Sequence, residues 1–415
     1  MTPEPHRHRT LGLTLVLHAF THIYQVALIP LYLLIRTDFH LASDAQATFL
    51  VTAMGIAYFL PSYPLGVLAD RVSRKKLLAA GLAINALGFV GLSFAPNYAA
   101  ALACLLVAGF GGSFFHPAAT ALIAQLFPDS KGQALGRLGV GASIGFFIGP
   151  IYAGWRAGSA GWRQPVLELG LLGLLVAVAF YGMATEHASR RATDSPPAGK
   201  IFPTRTLWIF FLAASILFSL RDFAGAGMAS LGSLFLQRAH DFSARQTGFA
   251  LSFIYLASSI SNPLFGHLSD RGRIRWTIPV LVIATFVVAI FPRVPPNLVA
   301  PTLAIYGFFF MSSYPMVEAA LMESVHDSVR GRVFGLFITI AGLLGNLSHW
   351  FVGNSVRQLG SAANSPSGYF GLYGLLAASI AVSMIGLVFL HGLRRRENAI
   401  APILTPAVPS LDLEM

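Results

Sequence analysis

Long apolar runs, broken by short stretches that carry charge, Pro, Gly or Asn, fill almost the whole chain. A bilayer hydrocarbon core about 30 Å thick needs about 20 helical residues to cross it. By that measure the pattern predicts spans near 11–35, 46–69, 77–95, 99–125, 134–155 and 163–184, then near 207–236, 246–269, 277–292, 298–323, 332–356 and 368–391. One longer polar stretch, 186–206, carries Arg, Lys, Ser and Pro and reads as a linker. It divides an N-terminal six-helix bundle, 1–185, from a C-terminal one, 207–393, which a polar tail, 394–415, follows. The first apolar run is too long for a signal-peptide core and lacks a small-x-small cleavage site, so it is expected to be a retained span.

The second half repeats the first. GVLADRVSRKK, from Gly66 to Lys76, returns as GHLSDRGRIR, from Gly266 to Arg275, with an offset of 266 − 66 = 200 that also relates Asp70 to Asp270 and Arg71 to Arg271. Span 4 carries Gly109, Pro117 and Ala121, and span 10 carries Gly307, Pro315 and Ala319. Parallel duplication of six helices is the sequence mark of a transporter whose site lies between its halves at mid-membrane depth.

Composition agrees with that reading and removes others. Charged residues make up 11% of the 415 and the mean hydropathy is +0.66, which excludes a soluble globular chain. The net charge of +11 would suit nucleic acid, but the basic residues sit in short loops between apolar runs. One side of the alternating topology takes 20 of them, including Arg71, Arg74, Lys75, Lys76, Arg271 and Arg394–Arg396; the other takes 7. The basic side, and with it both termini, is expected in the cytoplasm, and the membrane is expected to be the inner one. A lone cysteine, Cys104, leaves no disulfide or CxxC metal site. There is no GxxxxGK[ST], HExxH or soluble catalytic domain, so neither ATP as direct energy source nor an enzyme is expected, and no cofactor.

Ionisable side chains inside a bilayer cost several kcal/mol unless they face protein or water, so they mark candidate function. His18 and His22 lie in span 1, His116 in span 4, Arg221 and Asp222 in span 7 and Glu318 in span 10. His22 and Asp222 are 222 − 22 = 200 apart and occupy equivalent depths. Asp222 beside Arg221 can carry a proton or form a structural pair. The i, i+4 spacing of His18 and His22 suits a metal, yet with no Cys and no second such pair the expected role is proton or substrate contact, with no metal. His116, next to Pro117, either belongs to the site or bonds carbonyls freed by the kink. Glu318 stands where the first half has Thr120 and is a proton or cation candidate. Glu168 and His349, nearer the outer ends of their spans, are expected to snorkel. Tyr24, Phe114, Phe115, Phe308, Phe309, Phe310 and Tyr314 crowd the spans expected to line the cavity; lipid-facing or packing roles are the commoner fate of any single one, and as a set they suit an apolar or amphipathic substrate.

Gly141, Gly145, Gly149 and Gly154 in span 5 form a groove for close helix approach, and Pro150 bends that helix. In the repeated loop, Asp70 can meet the N-terminus of another helix, and the arginines can meet carboxylates, when the halves close on the basic side. These contacts would latch one conformational state.

The twelve spans, the duplication and both loop motifs together resemble the major facilitator superfamily. Within it, HAFTHIYQVALIP from His18 to Pro30 and GSFFHPAAT from Gly112 to Thr120 look like the fosmidomycin-resistance type of drug exporters. The resemblance implies an all-α fold of two pseudo-symmetric six-helix bundles. It further implies that Asp70 meets the start of span 11 near Gly331, that Asp270 meets the start of span 5 near Gly132, and that Asp129 pairs with Arg71 and Arg74. Gly66 and Gly266 open the two copies; Ser73 departs from the usual glycine. The span 5 motif resembles the superfamily's antiporter motif, with a single-glycine ending. The expected activity is proton-coupled export of a small molecule by a monomer using alternating access, with protons and membrane lipid as its other partners and no nucleic acid. Uptake of an organic anion and a transport-dead sensor are the rival readings.

Overall fold

The computed structural model describes residues 4–69, 71–186, 200–270, 272–326 and 329–404. Among the described residues twelve helices are long and apolar enough to cross a membrane: α1 (Glu4–Asp38), α2 (Asp44–Gly66), α3 (Arg74–Ser93), α4 (Tyr98–Leu126), α5 (Gln133–Ala160), α6 (Arg163–Met183), α7 (Arg205–Ala239), α8 (Ala244–Ser269), α9 (Arg273–Arg293), α10 (Pro296–Glu323), α11 (Arg330–Asn364) and α12 (Pro366–Ala399). Among the described residues there is no strand. In lipid every backbone polar group must be satisfied within the protein, and a helix does so locally. The ends of α1 and α12 run past the apolar stretches, into Glu4–Arg9 and as far as Ala399, so part of the expected polar tail is helix. Helical bonding does not need apolar side chains once the backbone has left the hydrocarbon.

Large apolar side chains point outward, among them Val178 at 72% exposure and Val388 at 69%. Such a surface is stable against acyl chains and not against water.

The packing is twofold pseudo-symmetric. In the first half α1 packs on α5, α2 on α4 and α3 on α6; in the second, α7 packs on α11, α8 on α10 and α9 on α12. The halves meet through α2 with α11 and through α5 with α8, pairs that the same symmetry interchanges. The match reaches single residues. A Cβ on Gly109 would collide with the carbonyl of Met54 in α2, and one on Gly307 with the carbonyl of Ile254 in α8. Small residues there let the backbones approach closely enough for dispersion to hold them together.

The glycines of α5 use the same device on two partners. A Cβ on Gly141 or Gly145 would strike the carbonyls of Leu15 or Ala19 in α1, and one on Gly149 would press on Ile23 and Val26. Gly154 instead meets Ala244 at the start of α8, and the carbonyl of Pro150 lies against Gly248. One stripe thus joins α1 within a half and α8 across the interface.

Candidate functional site

The polar groups at mid-depth form one cluster in each half. In the first, the periodicity of α1 puts His18 and His22 on one face, 6% and 7% exposed, with Nε2 atoms 3.0 Å apart. His18 Nδ1 lies 2.8 Å from the carbonyl of Leu138 in α5, and His22 Nδ1 lies 2.8 Å from Gln25 Oε1. A carbonyl can only accept, so His18 Nδ1 carries the proton and its Nε2 offers a lone pair. With the amide oxygen of Gln25 facing it, His22 is held the same way. Two lone pairs at 3.0 Å repel unless positive charge stands between them. His116 of α4 completes the cluster, its ring 5.4 Å from His18 and 5.8 Å from His22. Among the described residues it bonds no freed carbonyl, and it is partly exposed. Phe115 stacks on His18 at 4.6 Å and so fixes the ring plane.

In the second half Arg221 is 1% exposed, although charged. Its Nε and Nη2 donate to Asp222 Oδ1 at 2.9 and 2.8 Å, and its Nη1 to the carbonyl of Ser313 at 3.3 Å. The guanidinium carbon stands 4.0 Å from the ring centre of Tyr314, a cation–π contact that covers its remaining face. Asp222 reaches this position because Gly345 in α11 leaves room; a Cβ there would sit 3.0 Å from the Asp222 Cβ. Glu318, one turn beyond Tyr314, acts electrostatically on Arg221 and Asp222 and is partly exposed. Two carboxylates accompany one guanidinium.

An aromatic pair links the clusters. Phe146 of α5 lies 4.2 Å from His22 and stacks at 4.8 Å on Tyr255 of α8. The two halves are fastened above this pair. Tyr32 of α1 bonds Ser230 of α7 at 2.8 Å, Ser230 bonds His349 of α11 at 2.6 Å, and Ser233 donates to the carbonyl of Ile29 at 2.6 Å. Asp44, 3% exposed, accepts from Arg36 at 3.1 Å and across the interface from Arg238 at 2.7 Å. These bonds join the halves at their outer ends.

This architecture has known counterparts. The model of the Major Facilitator Superfamily matches residues 13–348. The chain belongs to the major facilitator superfamily. Similar relatives include the multi-drug resistance efflux pump PmrA of Streptococcus pneumoniae, 28% identical with 81% of this chain and 83% of that one covered. Another is the uncharacterized MFS-type transporter YceJ of Bacillus subtilis, 24% identical over 74% of this chain and 79% of that one. Among solved structures, a bacterial homolog of the human lysosomal transporter Spinster superposes with a TM-score of 0.74 at 18% identity, covering 96% of this chain and 98% of that one. The nucleoside transporter NupG gives 0.70 at 15% identity, covering 94% and 99%. The fold of two six-helix bundles and the role of a membrane transporter follow.

Several expected contacts of this superfamily chain fall out differently. Tyr24 does not line a cavity: it is 1% exposed, packs on Phe89 and donates to the carbonyl of Leu169 at 3.0 Å, inside the first half. Phe310 is likewise fully buried, stacked on Tyr306. Asp129 is exposed and has no ion-pair partner among the described residues, while Arg74 donates to Gln125 at 2.9 Å. Asp270 pairs with Arg273 at 3.3 Å, within its own loop, and not with α5. In each case a nearer partner is in reach: Asp270 has Arg273 three residues on, and Arg74 has Gln125. Asp70 and Arg271 lie outside the described residues. Gly66 packs against Pro117 at a Cβ distance of 3.5 Å. Neither Glu168 nor His349 snorkels. Glu168 accepts from Arg156, Tyr152 and Gln164, and His349 is 6% exposed in the bridge between halves.

Sequence reading also missed residues. Asp44, Arg36 and Arg238 looked like ordinary loop charges, and only their meeting makes a clamp. Glu186, at the edge of the linker, caps α3: it accepts from the Ser73 hydroxyl, from the Arg74 amide at 2.7 Å and from the Lys75 amide at 3.2 Å. Its acidic side chain among basic neighbours was the available signal.

Proposed function

We propose that this transporter exports a cationic or polar amphipathic small molecule in exchange for protons, by alternating access, with its basic side in the cytoplasm. The observation that carries the reading is the charge count at Arg221, Asp222 and Glu318. One carboxylate is neutralised by the guanidinium and the other is surplus. A surplus carboxylate inside a membrane-spanning bundle needs a proton or a cationic ligand, and occupancy by one displaces the other. That mutual exclusion is the chemical requirement of exchange. Phe146, Tyr255 and Tyr314 supply apolar and cation–π surface beside it.

Opposed lone pairs of His18 and His22 form a second proton position in the other half. Alternating access would present both clusters to one face and then the other, with the Asp44–Arg238 clamp broken when the outer side opens. The similarity to PmrA, an efflux pump, and the resemblance of His18–Pro30 to drug exporters support the outward direction. Anion uptake finds less support, because Arg221 is 1% exposed and its guanidinium is engaged by Asp222, the Ser313 carbonyl and the Tyr314 ring.

Inside-out membrane vesicles test the proposal with ethidium as the probe. Vesicles with an acidic interior should accumulate the dye, and an uncoupler should abolish accumulation. Accumulation that survives the uncoupler, or that follows an alkaline interior, would overturn it.

A further inference from the structure

We propose that His18, His22 and His116 form a binding site for a divalent first-row transition ion that favours imidazole, such as Zn2+ or Co2+. The spacing of His18 and His22 alone is a weak signal, because any two residues one turn apart share a face. What the fold adds is a third imidazole from a different helix. One ligand-capable atom from each of the three residues lies within 4.8 Å of the other two.

The outer contacts of the rings match those of metal-bound histidines. Such a histidine usually donates its second N–H to a carbonyl or carboxylate, which fixes the ring and leaves the other nitrogen unprotonated toward the ion. Leu138 O does this for His18 at 2.8 Å and Gln25 Oε1 for His22 at 2.8 Å. Both Nε2 lone pairs consequently face one point. Ligand nitrogens about 2.1 Å from a tetrahedral ion are about 3.4 Å apart. The observed 3.0 Å reaches that value by a small rotation of either ring, and His116 must swing inward to join. Phe115 and Phe146 cover the His18 and His22 rings, while His116 stays partly exposed and leaves a side open for water or an anionic fourth ligand. An ion there would tie α1 to α4.

The site binds soft-to-borderline cations and not Mg2+ or Ca2+, which demand oxygen ligands. Its ligands are neutral, so the bound ion keeps its full charge and needs the open position for an anion or water.

The experiment uses the purified full-length protein with any affinity tag removed, titrated with Co2+ and followed by visible absorption, then challenged with Zn2+. One Co2+ per chain with intense d–d bands, displaced by Zn2+ and unaffected by excess Mg2+, is the expected result. His116→Gln and His22→Gln should each weaken binding at least tenfold. The doubly substituted His6→Gln, His8→Gln protein should bind as the parent does, which separates the cluster from the histidines of the N-terminal helix. His116→Cys should restore binding and add a thiolate-to-metal charge-transfer band, a gain that unfolding cannot imitate. Absence of a stoichiometric ion in the parent protein overturns the proposal. So does binding that the His6/His8 change removes, or that the cluster substitutions leave intact.

Discussion

Asp44→Asn removes the charge that fastens the outer ends of the two halves. Asp44 is 3% exposed and its two partners are 34% and 20% exposed for Arg36 and Arg238, so the pairs are neither fully buried nor freely solvated. At an effective dielectric of about 20, two unit charges about 4 Å apart attract by about 4 kcal/mol, which desolvation of Asp44 largely offsets. The Arg36 contact stays within the first half in any arrangement, so only the 2.7 Å bond to Arg238 discriminates between closed and open outer faces. A contribution of about 2 kcal/mol for that bond, toward the low end for close charge pairs, corresponds to about 30-fold in a conformational equilibrium. Spin labels at Thr37 and Asp241, exposed on the outer ends of the two halves, read this equilibrium by pulsed electron spin resonance. Because Cys104 is the sole native cysteine, one further change, Cys104→Ala, gives a clean background. The Asp44→Asn substitution should add or enlarge a long-distance component; an unchanged distance distribution would refute the clamp.

Asp222→Asn should abolish proton-driven dye accumulation while membrane insertion and yield stay near the parent's; normal accumulation over a range of pH would count against its role. Gly145→Ala drives a methyl into the carbonyl of Ala19 and should cost about 1–3 kcal/mol, seen as a lower melting temperature in detergent. Gly136→Ala, in open space on the same helix, should leave the melting temperature equal or slightly higher. Glu186→Gln removes a charged acceptor from the start of α3 and should lower thermal stability by about 1 kcal/mol, with no change in dye affinity.

What the sequence made legible was whatever repeats or runs long enough to carry its own physical meaning. The twelve spans follow from the thickness of the hydrocarbon, and the offset of 200 carries over into packing, since Met54 and Ile254 receive Gly109 and Gly307 at matching points. The ionisable residues of the spans were visible because their presence there is costly. Their partners were not. Which face of α4 turns toward α1 decides whether His116 joins His18 and His22, and no periodicity within α4 fixes that rotation. Tyr24 was misread for the same reason: aromatic residues in a cavity-lining span are just as easily placed in the core of their own bundle. The clamp at Asp44 was hidden because its three residues lie at separate helix ends, where charge is ordinary. The loop latch depends on how near the halves come, which is a property of conformational state and not of residue pattern.

If Asp222 and its neighbours hold a proton that a bound substrate displaces, the most direct measurement is the proton count on binding. It is made in weakly buffered detergent solution with a pH-sensitive dye and a cationic ligand that binds the parent protein. Binding should release protons from the parent and none from Asp222→Asn. Equal release from both proteins, or binding to the parent with no proton movement, would contradict it.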